Sequence, residues 1–219
     1  YDYNMIADDF MLAPVAAAYL LQPRGRERAK TFLARRLSND ERVGAALVRN
    51  FVWVARSAHT FAEKPQPANL ISLKPGLNAG QWRDSQDGLA GGRYPFDVNA
   101  VFVPAAMTAI VHFLRSDVLK PYLTPEQHKV LSTAREIADV WSREAPPLFH
   151  VQITGADARR QVTAYAAKLG VSPTAALDAL PTGDLVVNAI ALDAQHKPLP
   201  VLHSDIGFAL LLQDPPATA

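Results

Sequence analysis

No cysteine occurs in the 219 residues, which excludes disulfide bonds and thiolate metal sites. Charge of one sign is lacking too. Lys plus Arg number 22 against 21 Asp plus Glu, a formal net charge of +1. That balance excludes a strong electrostatic draw to nucleic acid or to an anionic membrane. No apolar run reaches about 18 residues without a charge, so no membrane span is expected. The six histidines are scattered and form no pair at ligand spacing on one helix. Neither a metal nor another cofactor is expected. The chain opens on Tyr1 with no signal peptide ahead of it, and it reads as a trimmed or partial chain. The lack of cysteine leaves the compartment open, and a periplasmic or secreted location is favoured.

What is present is apolar material, 49% of the chain, enough for one good core or two small ones. Most of it falls at helical spacing. Within residues 10–21, Ala13 to Leu21 is apolar and Ala-rich almost all round, the mark of a buried helix. Asp8 and Asp9 stand just before it, either as charges favoured by the helix dipole or as substrate ligands. Residues 24–37 predict an outer helix with a solvated basic face. Ser38-Asn39-Asp40-Glu41 reads as a capping box before a helix that carries Val43, Leu47, Phe51, Val54, Ala58 and Phe61. Trp53 is expected in the core. Thr124-Pro125-Glu126-Gln127 starts another helix, whose buried face runs from Val130 through Leu131, Ala134, Ile137 and Ala138 to Trp141.

Residues 155–180 mimic a helix-turn-helix. Their second helix, Ala175 to Leu180, carries nothing that reads a base edge or holds a phosphate, so nucleic acid is excluded as a partner. Residues 185–203 alternate and predict a β-hairpin turning at Asp193 to Lys197. A third apolar helix is expected from Ile206 to Leu212, just after Asp205. The expectation is a single, mainly α domain over residues 1–219 with one small hairpin.

The longest stretch without periodicity, residues 63–96, is where function is expected. It holds Gln81-Trp82-Arg83-Asp84-Ser85, and it runs into Gly92-Arg93-Tyr94-Pro95-Phe96-Asp97-Val98-Asn99-Ala100 at the head of an apolar helix. The glycines are not a nucleotide fingerprint, because no strand leads in and no Lys-Ser or Lys-Thr follows. Aromatic faces, guanidinium groups, an amide and carboxylates at a helix mouth suit a sugar. Trp82, Arg83, Arg93, Tyr94, Asp97, Asn99 and Asp9 are the candidate substrate ligands. Asp97 serves equally well as an N-cap. Pro104 predicts a kink, or a later helix start.

The Trp82-to-Ser85 motif followed by Pro95 to Ala100 resembles a segment of the six-hairpin (α/α)6-toroid glycosidases, the amylo-1,6-glucosidase and processing α-glucosidase relatives in particular. The resemblance is close over roughly residues 80 to 110 and elsewhere covers only the general run of helices. Family members often carry Glu where Asp97 stands and an apolar residue where Arg83 stands. The resemblance implies an α/α toroid, or part of one, since a whole toroid has about twice the helices read here. It implies that Asp84 is the catalytic acid. It also implies that inner helices begin at a common mouth, which would gather Asp9, Asp97 and Asp205.

The expected activity is hydrolysis of an oligo- or polysaccharide by general acid/base catalysis of the inverting kind, with Asp205 as the candidate base. Arg83 and Arg93 would lower the pKa of Asp84, whereas burial against Trp82 would raise it. Equally, Asp84 can be a salt bridge that rigidifies its loop. Two alternatives stay open. One is a non-catalytic carbohydrate-binding or scaffold module. The other is a polysaccharide lyase using Arg93, Tyr94 and His203. The partners expected are carbohydrate and a second polypeptide, or the remainder of the same protein, covering the apolar helices.

Overall fold

The computed structural model describes residues 5–83 and 85–213, and helices dominate them. In chain order the elements are α1 (Ala7–Leu20), α2 (Pro23–Ala34), α3 (Val43–Glu63), β1 (Tyr94–Pro95), a π-helical turn (Asp97–Phe102), α4 (Val103–Ser116), α5 (Pro125–Leu131), α6 (Ala134–Glu144), β2 (His150–Ile153), α7 (Gly155–Leu169), α8 (Thr174–Ala179), β3 (Leu185–Asn188), β4 (Ala191–Leu192), β5 (Pro198–Leu199) and α9 (Gly207–Leu212).

Helix α4 is the hub. It packs on α1, α6 and α3, and nearly every residue from Asp97 to Phe113 is buried. By length and composition Asp97–Ser116 could cross a membrane, but 83% of its most apolar window is buried inside this fold. Its apolar character is thus used by the core. The core aromatics interlock around it. Phe51 meets Phe113 at 5.2 Å between ring centroids, and Phe61 meets Trp141 at 4.3 Å. The Trp141 indole N–H donates to the Ala58 carbonyl at 2.9 Å, which satisfies its one polar atom inside apolar surroundings. Gly44 is required where α3 passes Tyr122, because a Cβ there would lie 2.5 Å from the ring.

The α-helix starts later than the apolar run does, at Val103. Pro104 falls in the first turn of α4, where a missing N–H costs least. The residues ahead of it wind as a π turn. The carbonyls of Ala100 and Val101 receive the side-chain amide of Gln213, at 3.4 and 3.2 Å, from the end of α9.

Several sequence expectations change. Asp8 and Asp9 lie inside the first turn of α1, not outside it. Residues 38–41 form no capping box. Asp40 adopts a left-handed turn (φ 66°), Glu41 pairs with Arg49 at 2.8 Å, and α3 begins only after Arg42. Trp53 is 44% exposed and only leans on Phe10. The helix expected from Pro125 to Trp141 breaks at Ser132 and Thr133 into α5 and α6, although its capping box at Thr124 and Gln127 forms as read.

The hairpin expected over 185–203 is two separate pairings. Strand β3 pairs antiparallel with β2, Val151 opposite Val187. Strands β4 and β5 form the hairpin, and β1 joins its other edge with Tyr94 opposite Leu192. Alternation in sequence fixes which faces a strand shows but not which partner it takes. The smaller hairpin keeps the expected turn. The Asp193 carboxylate accepts the N–H groups of Gln195 and Lys197, both at 2.8 Å.

Trp141→Ala removes the largest core side chain and its hydrogen bond. The expected loss is about 3–5 kcal/mol, measured as a shift of the urea midpoint. A loss under about 1 kcal/mol, the range of surface substitutions, would show that α6 is not part of the cooperative core.

Candidate functional site

Residues 80–83 contact the beginnings of two apolar helices and act by charge on the beginning of the third. The Ile6 N–H, one residue ahead of α1, donates to the Gly80 carbonyl at 2.6 Å. Arg83 reaches Asp205, two residues ahead of α9, across 122 positions of chain. Its charge also acts on Asp97, the first residue of the π turn. The loop holds its shape through Gln81, which is fully buried. The Gln81 Oε1 accepts the Arg83 N–H at 2.6 Å.

Arg83 and Asp205 form the best-defined polar contact in the cluster. Arg83 Nη2 lies 2.5 Å from Asp205 Oδ1, and its Nε lies 3.4 Å from Oδ2. Asp205 is 1% exposed and the Arg83 side chain 22%. The guanidinium also sits 4.3 Å from the Trp82 ring, so it is held from two sides. The Asp205 N–H donates to His203 Nδ1 at 3.1 Å. That places the proton of a neutral His203 ring on Nε2, which is buried and finds no hydrogen-bond partner among the described residues.

Asp97 is the unusual group. It is fully buried, and neither carboxyl oxygen has a partner of good geometry among the described residues. It does not serve as an N-cap; Phe96 stands at that position and makes no side-chain cap. Burial, first, and the neighbouring Asp205 charge push the Asp97 pKa up to about 7. The first-turn N–H groups of Val98 and Asp97, with Arg83, offset this only in part. One carboxyl is therefore ion-paired to a guanidinium while its neighbour carries a proton close to neutral pH. A carboxyl that keeps its proton near neutral pH is what a general acid requires.

Trp82 is 44% exposed and stands edge-on to Phe208 at 5.7 Å. Phe208 in turn packs on Phe102 at 5.1 Å. The indole is thus an anchored ring with one open side.

The remaining candidates have other partners. Asn99 spends its amide on the backbone: Oδ1 accepts the Ile71 N–H at 2.7 Å, and Nδ2 donates to Ile71 O at 2.9 Å and Pro95 O at 2.8 Å. Arg93 donates to the carbonyls of Leu73, Lys74 and Leu77, holding that loop closed. The Tyr94 hydroxyl meets His196 Nε2 at 3.1 Å. Asp9 borders the same loop through the Lys74 charge, and burial raises its pKa. Asp84 lies outside the described residues. No metal-holding group of His, Asp and Glu occurs among the described residues.

Sequence reading did not anticipate the buried roles of Gln81 and of the Phe102–Phe208 support. Gln81 stands directly before Trp82, but nothing in its residue type announces burial. No protein-family model, curated protein or solved structure matches this chain.

The raised pKa of Asp97 has a signed consequence. Its unfolded value is 3.8 and its folded value about 7, so the folded state binds the extra proton between them. Its contribution to stability is complete below pH 3.8 and is lost as pH rises through 7. The Asp97→Asn variant should lose this slope. Across that window it should gain on the order of 4 kcal/mol relative to the native protein, read from urea melts at several pH values. Parallel native and variant curves would show that Asp97 titrates normally.

Proposed function

We propose that this chain carries the acid/base site of a glycoside hydrolase, on helices arranged as in an α/α toroid. The observation that supports it best is the Asp97 and Asp205 pair, one protonated near neutral pH and the other ion-paired to Arg83, at the foot of a half-exposed Trp82. In this reading the sugar stacks on Trp82. A carboxylic acid gives its proton to the departing glycosidic oxygen as the C–O bond breaks. A carboxylate takes a proton from the water that attacks the anomeric carbon. Asp84 is the proton donor that the motif resemblance implies, and Asp97 is a second carboxyl able to carry a proton at that pH. Asp205 can accept a proton from water only after Arg83 leaves it, since Arg83 faces both its oxygens.

One observation favours a second reading. Asp97 and Asp205 are 0% and 1% exposed, whereas Trp82 is open. A module that only binds carbohydrate needs the ring and not the carboxylates. The lyase alternative gains nothing, because Arg93 and Tyr94 are engaged by the Leu73–Leu77 carbonyls and by His196.

The test is a screen of α- and β-linked oligosaccharides, with products read by chromatography. The native protein is compared with Asp84→Asn, Asp97→Asn, Asp205→Asn and Trp82→Ala, and calorimetric binding is measured in parallel. Hydrolysis predicts cleavage that falls about 10²–10⁴-fold when the proton donor is replaced, with circular dichroism unchanged. Binding without cleavage, lost in Trp82→Ala, would give the site to the second reading. Neither cleavage nor binding would sink both.

A further inference from the structure

Beyond Asp9, helix α1 has no charged residue, so it is apolar round its whole circumference. Such a helix belongs inside a protein. One stripe of it nevertheless faces solvent. Asp8, Leu12, Val15, Tyr19 and then Gln22 follow at alternating spacings of four and three, and all five are exposed. The three apolar members are 41%, 54% and 52% open. Alternate four-three spacing is the seam by which one helix packs on another. From Asp8 to Tyr19 the seam runs about 17 Å along α1.

Beside the seam lies a groove of about 910 Å³ between α1 and α4. Its floor includes Ala105, Thr108 and Ala109, small enough to let another helix come close, and Leu211 of α9 stands along its edge. Two arginines, Arg26 and Arg115, line it, and among the described residues no carboxylate does. Both lie beyond the C-terminal end of the α1 seam, whereas the exposed Asp8 lies at its N-terminal end. The face is therefore acidic at one end, basic at the other and apolar between.

We propose that this face is an interface between two copies of the chain, with α1 of each laid antiparallel on α1 of the other across a twofold axis. An isologous contact requires a self-complementary patch. Antiparallel packing supplies it. Leu12, Val15 and Tyr19 of one copy meet the same residues of the other, and Asp8 of each comes to the end where Arg26 and Arg115 of the other stand. The charge arrangement selects this occupant, since a parallel pair would set Asp8 against Asp8. The area covered is independent of the Trp82 loop, so the inference does not rest on the proposed activity.

The absence of cysteine makes the test direct. The native 219-residue chain is measured by sedimentation equilibrium, and single cysteines introduced as Val15→Cys are joined by a short bismaleimide. The expected result is a dimer that cross-links at Val15. Val15→Lys, at an exposed position, or Tyr19→Glu, which also gives up the contacts of that ring with Phe32 and Arg28, should weaken it at least about tenfold, with circular dichroism retained. Asp8→Arg and Arg26→Asp should each weaken the dimer, and together restore it. A native protein that stays monomeric up to about 0.1 mM, a regime that excludes even weak self-association, would overturn the proposal. So would a dimer indifferent to both seam substitutions, which would place its contact elsewhere. A double charge reversal no tighter than the single ones would overturn the antiparallel arrangement.

Discussion

An apolar segment twenty residues long has to be surrounded, and its polar head has to be surrounded with it. That constraint governs this protein. Once α1, α3 and α6 close round α4, the turn that starts it is buried too, and Asp97 and Asn99 go in with it. A buried polar group must find partners or change its protonation state. Asn99 does the first, through three bonds to the backbone of Ile71 and Pro95. Asp97 does the second, and keeps its proton to about pH 7.

The same burial explains Arg83. Asp205 is driven into the interior at the head of α9, where an unpaired carboxylate would cost several kcal/mol, and the guanidinium supplied from the 80–83 loop neutralises it. One contact therefore fastens the long loop to the C-terminal helix. It also sets the charge next to Asp97. The loop is held at its other end by Arg93, whose guanidinium gathers the carbonyls of Leu73, Lys74 and Leu77. Two arginines ten positions apart thus do different work: one answers a buried charge and the other answers unpaired backbone.

Legibility of the candidate site divided along physical lines. The stretch from Trp82 to Asn99 stood out because aromatic and charged residues were dense where no periodicity ran. The structure brings Arg83, Asp97 and Asp205 of that reading together and leaves Trp82 half open. It directs Arg93, Tyr94 and Asn99 to structural bonds instead, because residue type tells which bonds a side chain can make and not which it makes. Trp53 shows the same limit: helical spacing put it with core residues, yet it ends 44% exposed beside Phe10.

The sequence by itself determined the mainly helical character, the apolar runs after Asp9, Asp97 and Asp205, the capping box at Thr124, and the turn at Asp193. All of these are set by spacing and by contacts between residues a few positions apart. Tertiary structure alone decided that β3 takes β2 as its partner, that Arg83 meets Asp205, that Asp97 holds a proton, and that the stripe from Leu12 to Tyr19 is left open. Each of those depends on which distant surfaces come together and on how much water they exclude, and neither quantity is written in local pattern.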